Sequence, residues 1–336
     1  MNRFRLGTVA GLIMAFSVLT PALASSGWQA LAPVPDPDGP GPRTGRTEGA
    51  CVATIGNKIY MAYGFDSGDS RFLRIYDIAS DTWTMGPLAP APDASEGYRG
   101  VAHGGNLYCI GKRPAGAPDV RRFDPAAGTW TVLTSMSDAR SGTTAEVFGN
   151  AVFVFGGRKG AAPCSGPAVS SSGGFTTVLR YDIDTDSWSN AGNLAVNRSD
   201  ATAARVGNKI FVFGGCDSAT FFSSVEVYDP LSQTSTLIAA TLPSGRSNAA
   251  AATTGNDIHV TGGANSNVPA GTNHVIFDTK TATFSTGTPM PTHCFGTAPR
   301  GEHELVAHGG RIYAVAGACP FFGTSINNLD VLKINP

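Results

Sequence analysis

Charge is in short supply. Asp, Glu, Lys and Arg make up 15% of the 336 residues, and the formal net charge is −1. An average globular protein carries roughly 25%. No basic stripe exists, so the electrostatic footprint of a nucleic-acid binder is missing. No segment sustains a helical period, which removes helical bundles and coiled coils. There is no nucleophile elbow, no phosphate loop and no CxxC pair. His274 and His293 fall at no metal-ligand spacing, and no cofactor is expected. One long apolar run exists, Leu6 to Leu19, after Arg3 and Arg5 and before Ala22-Leu23-Ala24. That pattern reads as a secretory signal peptide over residues 1–24, cleaved after Ala24 and too short for a membrane span. The mature chain is expected to be secreted or periplasmic, monomeric and without a membrane span.

What the sequence does have is glycine and proline, 42 and 22 residues, as a turn-rich all-β chain requires. It also has a unit of roughly 50 residues present six times. The clearest copy runs Arg198-Ser199-Asp200, then Gly207-Asn208-Lys209-Ile210-Phe211-Val212-Phe213-Gly214-Gly215, then Val225-Glu226-Val227-Tyr228-Asp229. A unit of this size cannot bury its own apolar face, so copies must stack. Each reads as four short strands: a small-residue strand, a β-branched and aromatic strand ending at a glycine pair, an alternating strand, and a last strand. The last carries a Trp seven residues after the aromatic anchor, as in Tyr76 to Trp83, Phe123 to Trp130 and Tyr181 to Trp188. The copies differ in detail. Blade one has Tyr63 in place of the first glycine, blade two has Lys112 in place of the second, and blade six has Ala316-Gly317. Ser235 and Phe284 replace the Trp in blades four and five.

These residues resemble the Kelch motif, a hydrophobic strand, a Gly-Gly pair and a spaced Tyr and Trp. The resemblance implies an all-β, six-bladed β-propeller over residues 25–336. The sixth copy ends at Pro336 without its Trp strand, and Gly27-Trp28-Gln29-Ala30-Leu31 matches the missing piece. The N-terminal strand is therefore expected to close the ring as the outer strand of blade six, removing an exposed edge.

Six cysteines in an exported chain invite disulfides. Loop positions on one face suggest Cys164–Cys216 and Cys294–Cys319. Cys51 and Cys109 lie inside strands and are expected to be free but shielded. The same face carries the longest loops, Arg158 to Phe175 and Thr286 to His303, where a rigid scaffold usually builds its binding surface.

Arg140, Arg198, Arg246 and Arg300 each lie thirteen residues before the aromatic position of the second strand. Arg46 is one residue out of register, and blade two has Ser95-Glu96 there. These side chains, with Arg46 and Glu96, are expected to ring one mouth of the channel. They could grip oxyanions of a ligand, or they could belong to the repeat itself and satisfy loop carbonyls. Glu302 and His303 are the only acid–base pair worth naming as catalytic candidates. On a strand, His303 would point away from Glu302 and Glu304.

The best functional expectation is an exported binding module for a protein or a glycan on the loop-rich face. One alternative is a mutarotase or epimerase acting on an acidic sugar, since the scaffold is similar to that of the sialic acid mutarotases. No catalytic residues of that family align here. Galactose oxidase is also similar in scaffold, but its Tyr/His copper set is missing. A structural cell-surface repeat is the third reading.

Overall fold

In a computed structural model the described residues are 27–36, 49–64, 71–90, 97–111, 120–138, 140–159, 175–217, 220–264, 273–291, 300–319, 324–325 and 328–334. Residues 1–24, with the expected leader, lie outside them. Strand β1 (Gln29–Ala30) comes first. Blade one is β2 (Cys51–Ile55), β3 (Lys58–Ala62), β4 (Leu73–Asp77) and β5 (Thr82–Met85). Blade two is β6 (Arg99–His103), β7 (Asn106–Ile110), β8 (Val120–Asp124) and β9 (Thr129–Leu133). Blade three is β10 (Ser141–Phe148), β11 (Ala151–Arg158), β12 (Thr177–Asp182) and β13 (Ser187–Asn193). Blade four is β14 (Thr202–Val206), β15 (Lys209–Phe213), β16 (Ser224–Asp229) and β17 (Thr234–Thr241). Blade five is β18 (Ser247–Thr254), β19 (Asp257–Ala264), β20 (His274–Asp278) and β21 (Thr283–Thr286). Blade six holds β22 (Glu304–His308), β23 (Arg311–Val315), a two-stranded ribbon of β24 (Ala318–Cys319) and β25 (Thr324–Ser325), and β26 (Leu329–Lys333).

The chain forms six four-stranded antiparallel sheets arranged as a β-propeller. The sixth has the order β1-β26-β23-β22. Gln29 pairs with Val331 and Ala30 with Asp330, so the N-terminal strand closes the ring as its sequence match implies. The seven-residue spacing of aromatic and Trp is a cross-strand pair across a tight turn: Tyr76 faces Trp83, Phe123 faces Trp130 and Tyr181 faces Trp188.

Stability lies in the seams. Each apolar cluster joins neighbouring blades. Ile59 and Met61 of blade one pack with Tyr313 and Val331 of blade six, and Ala203 and Val212 of blade four pack with Phe153 and Phe155 of blade three. The Trp residues latch the rim. Trp83 donates its indole N–H to the carbonyl of Ala32 at 2.9 Å, Trp188 to Thr134 at 2.8 Å and Trp28 to Thr288 at 2.9 Å. Each acceptor belongs to the preceding blade. Asp81 and Asp186 complete the latch. Each accepts the hydroxyl of its own blade's tyrosine, Tyr76 or Tyr181, and a backbone N–H of the preceding blade.

One expectation is overturned. Cys51 and Cys109 are not free thiols but a disulfide between blades one and two, with Cα atoms 5.4 Å apart. The cause is Gly100. It is the cross-strand partner of Cys109, and a Cβ there would run into the backbone of Val52. With no side chain in the way, β2 lies directly on blade two and brings Cys51 to Cys109. Cys216 is also disulfide-bonded. Its expected partner Cys164 lies outside the described residues, as do Cys294 and the side chain of Cys319.

Because the Cys51–Cys109 link closes a 58-residue separation, replacing both cysteines by serine should lower unfolding free energy by about 4 kcal/mol. Guanidinium titrations of the two proteins measure it. Alkylation of the denatured, unreduced chain should leave both positions unlabelled.

Candidate functional site

The four aligned arginines turn inward, into their own blades, and are essentially without solvent exposure. The Arg140 guanidinium donates to the carbonyls of Gly156 and Thr177 at 3.1 and 3.0 Å. Arg198 donates to Gly214 at 2.5 Å, and Arg246 to Gly262 at 3.2 Å. Arg300 donates to Ala316 at 2.5 Å and Asn328 at 2.8 Å. In blades four and six a carboxylate from the third strand completes the set, Glu226 at 2.6 Å and Asp330 at 2.8 Å. An aromatic ring covers Arg140 (Phe175, 3.9 Å) and Arg198 (Phe222, 5.5 Å). Loss of water pulls Arg246 and Arg300 down to about 10, so both remain charged at neutral pH.

Blades one and two have their own version. Arg74 and Arg121, on the third strand at the place of Glu226 and Asp330, are equally buried. Arg121 donates to the hydroxyl of Tyr63 at 2.8 Å, and Arg74 to the carbonyl of Pro35 at 3.0 Å. Among the described residues every blade thus holds at least one buried guanidinium. Arg46 and Glu96 lie outside the described residues. The charge swap is visible in the aligned copies, where Arg74 and Arg121 stand in the column of Glu226 and Asp330.

The arginine backbone works in the opposite direction. The second glycine of each intact pair donates its N–H to the arginine carbonyl of the next blade: Gly157 to Arg198 at 2.9 Å, Gly215 to Arg246 at 2.9 Å and Gly263 to Arg300 at 3.0 Å. The same carbonyl occupies the space where the first glycine would carry a Cβ.

Two residues past each arginine the chain takes a left-handed conformation. Gly142, Asp200, Asn248 and Glu302 all have positive φ, as do Gly49 and Gly97 in blades one and two. These six residues are stitched around the axis. Asp200 donates its N–H to Gly142, Asn248 to Asp200, Glu302 to Asn248, Gly49 to Glu302 and Gly97 to Gly49, at 2.7–3.1 Å. The ring narrows the channel at the loop-rich end. Just inside it, Arg99 of blade two reaches Glu304 of blade six at 2.5 Å and the carbonyl of Thr143 at 3.1 Å. Burial pushes the Glu304 carboxyl up, and Arg99 offsets part of that.

Glu302 and His303 are not brought together as an acid–base pair. Glu302 is the ring residue of blade six. His303 is buried, its Nε2 lies 2.8 Å from the Thr261 hydroxyl, and its ring packs on Gly262 while its Cβ lies against Gly317. Burial, then Arg300 and Arg99, hold its pKa well below the usual range.

Blade five contains a second buried histidine system. His274 Nδ1 is 2.8 Å from the Thr288 carbonyl and must donate to it. Its Nε2 therefore accepts from His259 Nδ1 at 3.0 Å, and His259 Nε2 accepts from the Thr254 hydroxyl at 2.8 Å. Both rings are neutral in this chain of bonds. Among the described residues no group of His, Cys, Asp or Glu could hold a metal, and no helix is long and apolar enough to cross a membrane.

Inward of Arg99 and Glu304 lies a cavity of about 610 Å³ along the axis. Small residues of the innermost strands line it, with Glu146, Arg205 and His103 toward the turns Gly104 and Gly149 at the other end. No motif singles out Arg99, Glu146 or Arg205. Their only signal is a charged residue in a strand position where most other copies have Ala, Val or Thr.

The repeat geometry matches known proteins. Residues 114–318 match the KLHDC2/KLHL20/DRC7 Kelch-repeats domain. The chain belongs to the Kelch-repeat family. It is 28% identical over 250 residues to human (Homo sapiens) Kelch-like protein 25, covering 60% of this Kelch chain and 41% of the relative. Kelch-like protein 25 of Rattus norvegicus is 25% identical over 256 residues, covering 62% and 42%. Kelch repeat protein M-T8 of Myxoma virus is 26% identical over 181 residues, covering 52% and 33%. The matched Kelch region spans about two fifths or less of each relative's length.

Two measurements test this chemistry. Arg198→Met should destabilise the propeller by about 3–5 kcal/mol, because it leaves Glu226 buried without its cation. Adding Glu226→Leu should recover only part of that loss in denaturant titrations, since Glu226 also accepts from the Ala195 and Val196 N–H groups and the Ser235 hydroxyl. The histidine chain sets a pH window. His259 is held down to about 4 by burial and by His274, against about 6.5 when unfolded. Between those values the unfolded state binds the proton and the native state does not, so stability rises with pH and is lost as pH falls from 6.5 toward 4. His259→Phe should flatten that slope while lowering stability at pH 7.

Proposed function

We propose that this chain is an exported protein-binding module whose partner docks on the loop-rich end of the propeller. One observation carries the reading: the four aligned arginines, Arg140, Arg198, Arg246 and Arg300, are turned into their own blades, bracing the ring at the loop-rich end. The guanidinium groups hold the platform, and the loops 160–174 and 292–299 supply the recognition surface. Membership of the Kelch family supports a protein ligand over a sugar. The burial of His303, with its Nε2 on the Thr261 hydroxyl, favours this reading over an anomer-exchanging enzyme. The buried Cys51–Cys109 link supports export, because such bonds form and persist in oxidising compartments.

Photo-crosslinking tests the proposal in the source cell. A benzophenone side chain placed at position 168 or 296 should give a discrete protein adduct in the envelope or medium fraction. The same group at position 208 or 256, in the opposite turns, should not. Adducts of equal yield from both ends, or none from the loops, would overturn the docking face. Retention of the protein in the cytosol would overturn export. Competition by a sugar acid rather than by protein would restore the glycan reading.

A further inference from the structure

The axial cavity is a well with a floor at one end and a mouth at the other. The floor is the Arg99–Glu304 bridge and the ring of six left-handed residues. The mouth lies among the exposed turns at Gly104 and Gly149. The wall between them is mainly Ala, Val and Thr. It is wide enough for a small ligand, since sites of 300–1,000 Å³ are typical.

The charges facing this well are not equivalent. Arg99 is engaged by Glu304 and by the Thr143 carbonyl. Arg205 is exposed at the rim and donates to the carbonyl of Gly207 at 2.9 Å. His103 lies at the rim on blade two. Glu146 is different. It sits two residues deeper than Phe148 at the rim and two beyond Thr144 at the floor, about 7 Å from each layer. Its carboxyl accepts a hydrogen bond from the backbone N–H of Val147. Ala203 and Ala204 of the facing strand offer nothing polar, and Arg205 contributes only at a distance. Burial outweighs the attraction of Arg205 and the Val147 N–H and raises the carboxyl to about 8.

A carboxyl held only by the Val147 N–H, among alanine and valine side chains interleaved with open backbone groups, can still pair with a cation that brings its own carbon chain. An anion would meet Glu146 and find both arginines engaged. A quaternary ammonium would want an aromatic cage, and Phe148 is the one aromatic ring of the lining. A primary ammonium instead hydrogen-bonds a carboxylate directly, and its chain can lie along the alanine wall. We propose that the channel is a binding site for a primary aliphatic amine, with the ammonium on Glu146 and the chain directed along the axis. The site opens at the end opposite the loops and stands whether or not a protein docks there.

Binding at neutral pH must release a proton, because the ammonium pairs with the ionised carboxylate. Affinity should rise with pH through about 8 and fall only when the amine itself deprotonates above about 10. Arg205 and Arg99 favour the ionised carboxylate throughout this range, while Glu304 disfavours it. The probe is n-butylamine, titrated calorimetrically at pH 7.5 in two buffers of different ionisation enthalpy, with 1-butanol and butanoate as controls. The expected result is saturable binding of the amine alone with proton release. Glu146→Gln should weaken it about tenfold or more, on the scale of a lost charge-assisted hydrogen bond, with the thermal midpoint kept. Should that variant fail to fold, Ala251→Leu narrows the wall and leaves Glu146 in place, and it should weaken binding too. Butanol or butanoate binding as tightly as the amine, no proton release, no saturable heat, or undiminished affinity in both variants would each overturn the assignment.

Discussion

The clamp between a buried arginine and the glycine pair is the constraint on which the rest of the propeller depends. The pair is held from two sides. The arginine of its own blade donates to its first carbonyl, as Arg198 does to Gly214, and the main chain of the next arginine accepts its second N–H, as Arg246 does from Gly215. A Cβ at Gly214 would meet the Arg246 carbonyl at 2.5 Å, so the seam closes only around glycine. A guanidinium without solvent is costly unless its donors are satisfied. Here the acceptors are backbone carbonyls that would otherwise be orphaned at the end of a strand. Each side resolves the other's deficit, and the bond is charge-assisted because the arginine keeps its proton.

Departures from the repeat follow the same logic. The first glycine becomes Tyr63 in blade one and Ala316 in blade six. The next blades, two and one, are those without an aligned arginine. With that close approach relaxed, a side chain can occupy the place, although both residues still take positive φ. Tyr63 then serves as the acceptor for Arg121, the cation that blade two supplies from its third strand. What looks like decay of a motif is a coupled exchange of donor and acceptor positions.

Much of this was legible in the sequence, for a physical reason. Antiparallel pairs joined by tight turns have fixed spacing, so Tyr76 to Trp83 reports a cross-strand contact directly. The orphaned Trp28 strand could pair only with the blade that lacked one. Contacts between blades have no such fixed spacing. Cys51 and Cys109 sit in strands of different sheets, and the feature that joins them, the missing side chain of Gly100, reads in sequence as one more glycine. Direction was hidden too. Thirteen residues before an aromatic fixes where an arginine sits along the strand, not whether its side chain turns to the channel or into the blade. The deciding partners, glycine carbonyls and the Glu226 or Asp330 carboxylate, come from other strands.

The ring of left-handed residues has a further consequence for how the molecule divides its surfaces. Five of its six blade-to-blade steps, from Gly142 round to Gly97, are backbone hydrogen bonds between neighbours rather than side-chain contacts. Loops can therefore vary above it without disturbing the strands below. Beneath it, Arg99 and Glu304 span from blade two to blade six across the first blade, so the floor of the channel is fixed by blades that are not neighbours. A partner on the loops and a small molecule in the channel would meet opposite sides of the same rigid layer. Any coupling between the two ends would have to pass through that layer, by way of its backbone bonds or the Arg99–Glu304 bridge.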